Sequence, residues 1–446
     1  MLDINLIKEN PELVQVALAK RGITNIDLNQ IIALDTNKRE LLRNNEDIRA
    51  KRNQLSTDIS KITDKAQREK IILQVQQLKQ SLAQSDNALA KVEQELFQYL
   101  VSIPNIVAPD TVAGGKEANV AIKTFGKKPE FTFKPLDHVT LCTNLGLVDY
   151  DRGIKMSGSG HWVYTGPGAQ LEWALLNYFI DFHTANKYTF IMPPHILNYE
   201  SGYAAGQFPK YTDEVFLLSL GKNEKSNPQR EKFLLPTSET ALINMHRDEI
   251  ISCEKLPIKY FAYSPCYRGE AGGYGAGERG MIRGHQFNKI EMFMFSTPDT
   301  SFTLLDELVQ NAEKLVEGLG LHYQTVKLAA GDTGPVMAKT YDVEVYIPSL
   351  GYKEVSSCSN ALDYQARRAN IKYKVCKNGE STQMQKTQYL HTLNASGLAT
   401  SRLIPAIVEQ FQNPDGSVTI PLALRKYMGG LEIIHKKTSD AFKPRS

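Results

Sequence analysis

No apolar run in this sequence approaches the roughly 18 residues that a helix needs to cross a bilayer. A membrane-spanning protein is therefore not expected. The opening residues, MLDINLIKENPELV, carry acidic side chains and lack the apolar core of a secretory signal. Cysteine is scarce. Cys142, Cys253, Cys266, Cys358 and Cys376 are scattered, with no CxxC pair and no histidine at ligand spacing. Neither a disulfide framework nor a structural zinc is expected, and the thiols read as buried in a reducing, cytoplasmic setting. An excess of one charge is missing too: 52 basic against 49 acidic residues leave a formal +3. A nucleic-acid surface, if present, has to be local. Internal repeats and long low-complexity tracts are absent. What remains is a chain of 446 residues, long enough for a sizeable core and two or three domains.

Glycine and proline vanish between residues 27 and 100. A short helical lead-in precedes this stretch, with Asn10-Pro11 as a start signal and Gly22 as a stop. Leu34, Leu41, Ile48, Leu55 and Ile62 then recur every seven residues. After the polar segment TDKAQRE, the series Ile71, Val75, Leu78, Leu82, Leu89, Val92 and Leu96 steps by fours and threes, with Ser85 the polar intruder. Sustained heptads predict two long helices folded back as an antiparallel coiled coil, with the polar segment at the tip. About 30 residues per helix gives an arm on the order of 45 Å. Its first helix and tip are the more basic part, with Lys38, Arg39, Arg43, Arg49, Lys51, Arg52, Lys61, Lys65, Arg68 and Lys70. A solvated face explains such charges, and so does a phosphate backbone.

Past Ile103-Pro104-Asn105 the composition shifts to a mixed α/β body. Gly166-Pro167-Gly168 opens the amphipathic stretch AQLEWALLNYFIDFH, and the strand-like YTFIMPP follows. Residues 260–295 read as strand, glycine-rich loop and strand. Arg268 and Glu270 are two apart, as on one side of a strand, and Glu291 projects from the returning run. Gly275, Gly277 and Gly280 spell GxGxxG, but a dinucleotide site needs a helix to begin there, and the residues after Gly280 are strand-like. Residues 301–319 read as another amphipathic helix ending at Gly320, and HTLNASGLATSRLIPAIVEQFQ reads as a loop entering a helix whose first turn holds Arg402.

The segment RGEAGGYGAGERGMIRGHQFNKIE resembles motif 2 of the class II aminoacyl-tRNA synthetases in its seryl-tRNA synthetase form, and the resemblance extends to about Met428. It implies an α+β fold: an antiparallel sheet flanked by helices, with an N-terminal antiparallel helical coiled-coil arm. Residues 1–105 would form a tRNA-binding domain whose arm spans about 27–100, and residues 106–446 a catalytic domain. Motif 1 would lie at about 170–196, motif 2 at about 260–295 and motif 3 at about 391–412. Motif 1 is the dimer-forming element, with Pro194 its signature proline, so a homodimer is implied. The partners implied are ATP with Mg2+, L-serine, and tRNA(Ser) gripped through its long variable arm, with tRNA(Sec) where that occurs.

Residue by residue, Arg268 resembles the arginine that bridges the substrate carboxylate and the α-phosphate, and Arg402 the one at the γ-phosphate. Gly269, Glu270, Gly284, His285 and Gln286 match ATP-contacting positions, with Phe287 stacking on adenine. Glu354, Val355, Ser356 and Ser357 match the ATP and magnesium segment, Glu354 and Ser357 as metal contacts. Thr237, Ser238 and Glu239 resemble the loop that binds the amino group, and Glu291 and Ser396 the other serine contacts, with Arg268. Arg49, Lys51, Arg52 and Lys61 are the arm residues assigned to tRNA. Guanidinium groups suit this chemistry because they stay charged and bind oxyanions in a fork. A serine site must also hydrogen-bond the hydroxyl, because size alone does not exclude alanine.

Each residue taken alone has a plainer role: a surface ion pair for Arg268 or Glu291, a capping pair for Thr237 and Glu239, turn residues for Ser356 and Ser357. The chain departs from the family pattern at Lys187, where glycine is usual, at Gly284, where a β-branched residue is usual, and at Ser401. Pro405 is expected in the first turn of the motif 3 helix, where proline is tolerated. A regulatory paralogue that lost charging, a structural coiled-coil protein, and a relative that loads a carrier protein are the competing readings.

Overall fold

The computed structural model describes residues 1–59, 61–219, 232–270, 280–375 and 386–436. The GxGxxG loop, apart from Gly280, and the C-terminal tail lie outside the described residues, as does Cys376. Two compact units are present, Met1–Ile106 and Val107–Ser446.

The first unit is helical. Helices α1 (Ile4–Glu9) and α2 (Pro11–Lys20) precede α3 (Leu28–Ile59) and α4 (Lys65–Ser102). Asp64 caps α4, accepting a hydrogen bond from the Ala66 amide at 3.0 Å. Helices α3 and α4 pack along their length, and 32 and 38 residues give rods of roughly 50 Å or more. The seam follows the heptads. Ile31, Leu34, Leu41, Ile48 and Leu55 turn inward from α3, and Val75, Leu78, Leu82, Leu89, Val92 and Leu96 from α4. Asn45 is fully buried in that seam and donates to Asp86 Oδ1 at 2.8 Å. A polar residue buried at such a position fixes register at some cost in stability.

The second unit is built on an eight-stranded sheet: β1 (Val120–Phe125), β2 (Thr189–Ile191), β3 (Ile258–Tyr267), β4 (Gln286–Ser296), β5 (Tyr323–Lys327), β6 (Lys339–Ile347), β7 (Gly351–Leu362) and β8 (His391–Ala399). Their order across the sheet is β1-β5-β6-β7-β8-β4-β3-β2, antiparallel throughout except for the parallel pair β2–β3. Three helices are central to its packing: α5 (Pro167–Ala185), α6 (Ser301–Gly318) and α7 (Thr400–Gln410).

Strand β4 explains how these elements divide. Ile290, Met292 and Met294 point into the main core with Leu171 and Phe179 of α5, Leu308 and Leu315 of α6, and Leu403 and Ile407 of α7. The alternate residues point the other way. Phe293 and Phe295 close a second, smaller core, and Phe287, Lys289 and Glu291 continue that face toward the strand's start. Cross-strand partners keep the division: Phe287 faces Cys266, Lys289 faces Ser264 and Glu291 faces Ala262 on β3, while Glu291 also faces Ser396 on β8.

Three expectations need correction. Strand β3 ends at Tyr267, so Arg268 and Glu270 lie beyond it, and Glu270 has φ +46°. They are carried by a turn that leaves the sheet. Helix α7 starts at Thr400, which puts Pro405 in its second turn, where it withholds the amide that Ser401 would otherwise receive. Of the cysteines, Cys142, Cys266 and Cys358 are buried thiols, but Cys253 is disulfide-bonded. Lys187, the departure from the family's glycine, adopts φ +65°, the conformation that explains why glycine is usual there. The turn after α5 is kept at the cost of a left-handed lysine. Among the described residues no helix is long and apolar enough to cross a membrane.

Candidate functional site

The polar face of β3, β4 and β8 opens into two adjoining cavities of about 590 and 80 Å³ that share Arg268, Glu270, Arg283, Glu354 and Arg402 in their walls. The larger also takes in Thr237 and Glu239, the smaller Gly284, Phe287, Lys289, Val355, Ser396 and Ser401. Most of the residues singled out in the sequence therefore converge, although they lie up to 165 positions apart. A bigger cavity, about 1140 Å³, opens among residues 139–166 with Arg283 and holds none of the singled-out side chains. Here volume does not locate the chemistry; the convergence of charged groups does.

Arg268 spans the two cavities. Its Nε donates to the Pro236 carbonyl at 3.3 Å, and its guanidinium carbon lies 5.2 Å from the centre of the Phe287 ring. The group is thus held by one backbone contact and one aromatic face, leaving donors for an oxyanion. Arg402, in the first turn of α7, donates to the Ile282 carbonyl at 3.2 Å and the Glu354 carbonyl at 2.7 Å. Its guanidinium is 3.7 Å from the Glu354 carboxylate. Glu270 pairs with Arg283 at 2.7 Å. Gly269 donates its amide to the Glu214 carbonyl, and His285 and Gln286 stand outside both cavities, His285 tied to the Arg268 carbonyl at 2.9 Å.

The far wall is a buried polar cluster. Glu239 accepts from Gln365 Nε2 at 2.6 Å, and Gln365 is itself held by Thr392 Oγ1 at 2.6 Å. Asn394 Nδ2 reaches Glu239 Oε2 and Glu291 Oε1, both at 3.2 Å. Ser238 lies behind this wall, its hydroxyl 2.6 Å from that of Ser264. Burial, reinforced by the nearby Glu291 carboxylate, pushes the Glu239 carboxyl up to about 7.

In the 354–357 segment only part of the expected set presents polar groups. Val355 packs into the core and Ser356 donates to the Ser396 carbonyl at 2.6 Å. Ser357 faces Asp342 across the β6–β7 ladder. Asp342 is buried, its Oδ1 finds no hydrogen-bond partner among the described residues, and its carboxyl is held well above the usual range by burial and by Glu354. Two mutually repelling carboxylates and a hydroxyl form a hard-oxygen set that fits a divalent cation sharing its remaining ligands with phosphate and water. Among the described residues no three His, Cys, Asp or Glu side chains form a metal cage by themselves.

Four residues of this region were missed in the sequence. Lys289 lies inside the polar cluster, Asp342 beside Ser357, and Glu172 beneath the sheet. Glu172 Oε1 accepts from Asn288 Nδ2 at 2.7 Å and Thr400 Oγ1 at 2.6 Å, and burial raises its carboxyl to about 7. The fourth is Trp162. A Cβ at position 284 would fall 2.2 Å from the Trp162 ring. The indole fills the space that a β-branched residue would take, so the departure at Gly284 is compensated in packing. In sequence only the glycine itself hinted at this. On the arm, Arg49 pairs with Asp86 at 3.0 Å, Lys38 with Glu93 at 3.0 Å and Lys61 with Asp58 at 3.9 Å. Arg52 is half-buried in the seam with Nη2 on Asn53 Oδ1 at 3.1 Å, and Lys51, Lys65, Arg68 and Lys70 are exposed.

Comparison with known proteins places this geometry. Residues 1–107 match the family described as the seryl-tRNA synthetase N-terminal domain, and residues 222–411 match the class II tRNA synthetase core domain (G, H, P, S and T). The chain is 50% identical to serine–tRNA ligase 2 of Clostridium acetobutylicum over 96% of this chain and 99% of that one. Among solved structures it resembles the seryl-tRNA synthetase of Pyrococcus horikoshii complexed with ATP, with TM-score 0.87, 32% identity, and coverage of 98% and 100% of the two chains. It also resembles the cytoplasmic serine–tRNA ligase of Naegleria fowleri in complex with AMP, with TM-score 0.83, 28% identity, and coverage of 98% and 99%.

The Trp162–Gly284 contact makes a test of packing. Gly284→Val should destabilise the protein by about 1–3 kcal/mol through overlap with the indole. Trp162→Ala in the same chain should recover part of that loss, giving a favourable coupling in denaturant unfolding. Additive losses from the two changes would show that the contact carries no such strain.

Proposed function

This chain belongs to the seryl-tRNA synthetases, the ATP-dependent ligases that charge tRNA with serine, and on that premise we propose which of its residues do the work. The convergence of Arg268, Arg402 and Glu239 on one cavity, with Glu291 joined to Glu239 through Asn394, carries the proposal.

Serine enters with its ammonium on the Glu239 carboxylate and Thr237, and its hydroxyl on Glu291 and Ser396. Its carboxylate meets Arg268, which at the same time holds the α-phosphate of ATP. Phe287, already stacked with the Arg268 guanidinium, takes the adenine, aided by Glu270 and the backbone at Gly284. Arg402 holds the γ-phosphate. Glu354 and Ser357, with Asp342 beside them, would hold magnesium with the triphosphate, where it supplies further neutralisation of charge. A serine carboxylate oxygen then attacks the α-phosphorus, and the bond to the bridging oxygen breaks to release pyrophosphate. The protein contributes alignment and charge. No general base is required, because the carboxylate is already ionised. In the second step a hydroxyl of the terminal tRNA ribose attacks the seryl carbonyl and AMP leaves.

The arm grips the long variable arm of tRNA(Ser) through Lys51 and Arg52, with Lys61 near the tip. Arg49, engaged by Asp86, contributes after exchanging its partner. A homodimer through α5 and β2 is supported by Trp173, Phe190 and Met192, which are 54%, 40% and 75% exposed despite being large and apolar. The enzyme works in the cytoplasm.

Serine-dependent ATP–pyrophosphate exchange tests the assignment. Arg268→Ala should slow exchange by about two to three orders of magnitude, since it removes charge stabilisation at the reacting phosphorus. Exchange at the unmutated rate would overturn the role given to Arg268. The pH dependence follows from Glu239. Its raised pKa of about 7 means that lowering the pH protonates it and removes the anion the substrate ammonium needs. kcat/KM for serine should therefore fall by about tenfold per unit below that value, with KM for ATP steady. A flat serine profile between about pH 6 and 8 would contradict this. Neutralising Lys51, Arg52 and Lys61 together should reduce kcat/KM for tRNA charging by about tenfold or more, with a shallower salt dependence and unchanged exchange. Normal charging at physiological salt would remove the arm from the account.

A further inference from the structure

One charged side chain of the cluster has no role in that scheme. Lys289 is 5% exposed, deep for a residue whose long stem normally carries its ammonium to water. The strand dictates its place, two residues before Glu291 on the cavity face of β4. Its Nζ lies 2.7 Å from Thr237 Oγ1 and 2.5 Å from Glu291 Oε2. The lysine thus touches both the loop assigned to the substrate ammonium and the carboxylate assigned to the hydroxyl, and it lines the smaller cavity.

Counting the charges around this pocket gives the argument. Glu239 and Glu291 are anionic acceptors joined by the single amide of Asn394. Arg268 faces the nucleotide side, stacked on Phe287. Of the two carboxylates only Glu291 has a cation in ion-pair contact; Glu239 is hydrogen-bonded by neutral Gln365 and Asn394 and feels the Lys289 and Arg268 charges from farther off. One carboxylate is left for one substrate ammonium.

We propose that Lys289 is a specificity-determining residue, which neutralises Glu291 in place so that the pocket accepts a side chain with a neutral hydroxyl and rejects one with a second cation. The inference rests on the placement of serine given above. With Oε2 engaged by Lys289, Glu291 keeps Oε1 as an acceptor for the serine hydroxyl. A side-chain ammonium at the same point would meet the Lys289 charge instead of a bare carboxylate. Without the lysine, two uncompensated carboxylates face the substrate, and 2,3-diaminopropionate, which carries an amine where serine has its hydroxyl, becomes the charge-matched ligand.

The test is ATP–pyrophosphate exchange by the full chain with L-serine and L-2,3-diaminopropionate in parallel. Lys289→Gln keeps a donor to Thr237 and removes the charge from beside Glu291. It should raise the ratio of kcat/KM for diaminopropionate to that for serine by about tenfold or more, with KM for ATP within about threefold of the parent. Lys289→Met should do the same, and should lower kcat/KM for serine further because it leaves Thr237 without its donor. Adding Glu291→Gln to either variant should return the ratio to that of the parent, because the second bare carboxylate is gone. A ratio unchanged in Lys289→Gln overturns the proposal even when activity falls, since both substrates then lose equally. Should Glu291→Gln alone leave both substrates unaffected, the placement of serine itself is wrong, and the role of Lys289 falls with it.

Discussion

Successive side chains of a strand point to opposite faces, so β4 must present Ile290, Met292 and Met294 to the helices and Phe287, Lys289 and Glu291 to the polar side within eight residues, Phe287 and Lys289 in the cavity wall and Glu291 buried beside it. A slip of one residue would drive a lysine and a glutamate into the main core and expose three apolar side chains. Register is therefore strongly specified here, by the apolar set on one side and the charged set on the other. The pairing of β4 with β8 shows how the site exploits this. An irregularity between Lys289 and Glu291 lets Lys289 face Ala399 while Glu291 faces Ser396. Bulges of this kind re-aim a side chain without breaking the sheet. Ser396 is thereby brought opposite the glutamate with which it is proposed to share the substrate hydroxyl.

The site holds more buried charge than its own partners neutralise. Glu239 is raised to about 7, and Asp342 is raised well above its ordinary range, each by burial and then by a neighbouring carboxylate. In an apolar core such groups would only destabilise. Here each sits where the proposed scheme brings a cation: the substrate ammonium at Glu239, and magnesium beside Asp342. The same logic applies with opposite sign to Arg268 and Arg402, to which the proposed scheme brings carboxylate and phosphate. Binding the substrates relieves repulsion already built into the fold, and little reorganisation is left for the reaction itself.

What the sequence disclosed follows from what is local. Heptads in α3 and α4, the amphipathic stretches and the motif residues Arg268, Glu291, Glu354 and Arg402 all occupy readable patterns, and they locate the arm and the cavity. Geometry beyond the motif was less legible. Lys289 sits between two motif residues, yet a lysine in an alternating strand reads as solvated; only the approach of Thr237, 52 positions away, makes it a buried group. Asp342 lies on β6, outside every motif, and matters because pairing sets it against Ser357. Trp162 is recognised only from the missing Cβ at Gly284. The seam of the arm hid its own exception, since Arg49 is claimed by Asp86 on the opposite helix. A charge on a helix face does not reveal whether a partner stands across from it.

Glu172 joins the parts that the motifs name separately. It lies on α5, accepts from Asn288 next to Phe287 on β4, and accepts from Thr400 two residues before Arg402 on α7. One buried carboxylate thus spans the helix proposed to form a dimer, the strand proposed to stack on adenine and the helix proposed to hold the γ-phosphate. Charge-assisted hydrogen bonds to a buried acceptor are strong, and removing that acceptor would leave the Asn288 amide unsatisfied at about 1–3 kcal/mol and Thr400 with only its longer bond to the Asn288 carbonyl at 3.1 Å. A shift of α5 therefore reaches Asn288 and Thr400 through two short contacts, without passing through solvent or loop. Motif 1 contributes no side chain to either cavity wall, yet through Glu172 it ties β4 to α7, the two elements proposed to bind the nucleotide. Its place in the active unit follows from that support as well as from the exposed apolar face proposed to meet a second copy.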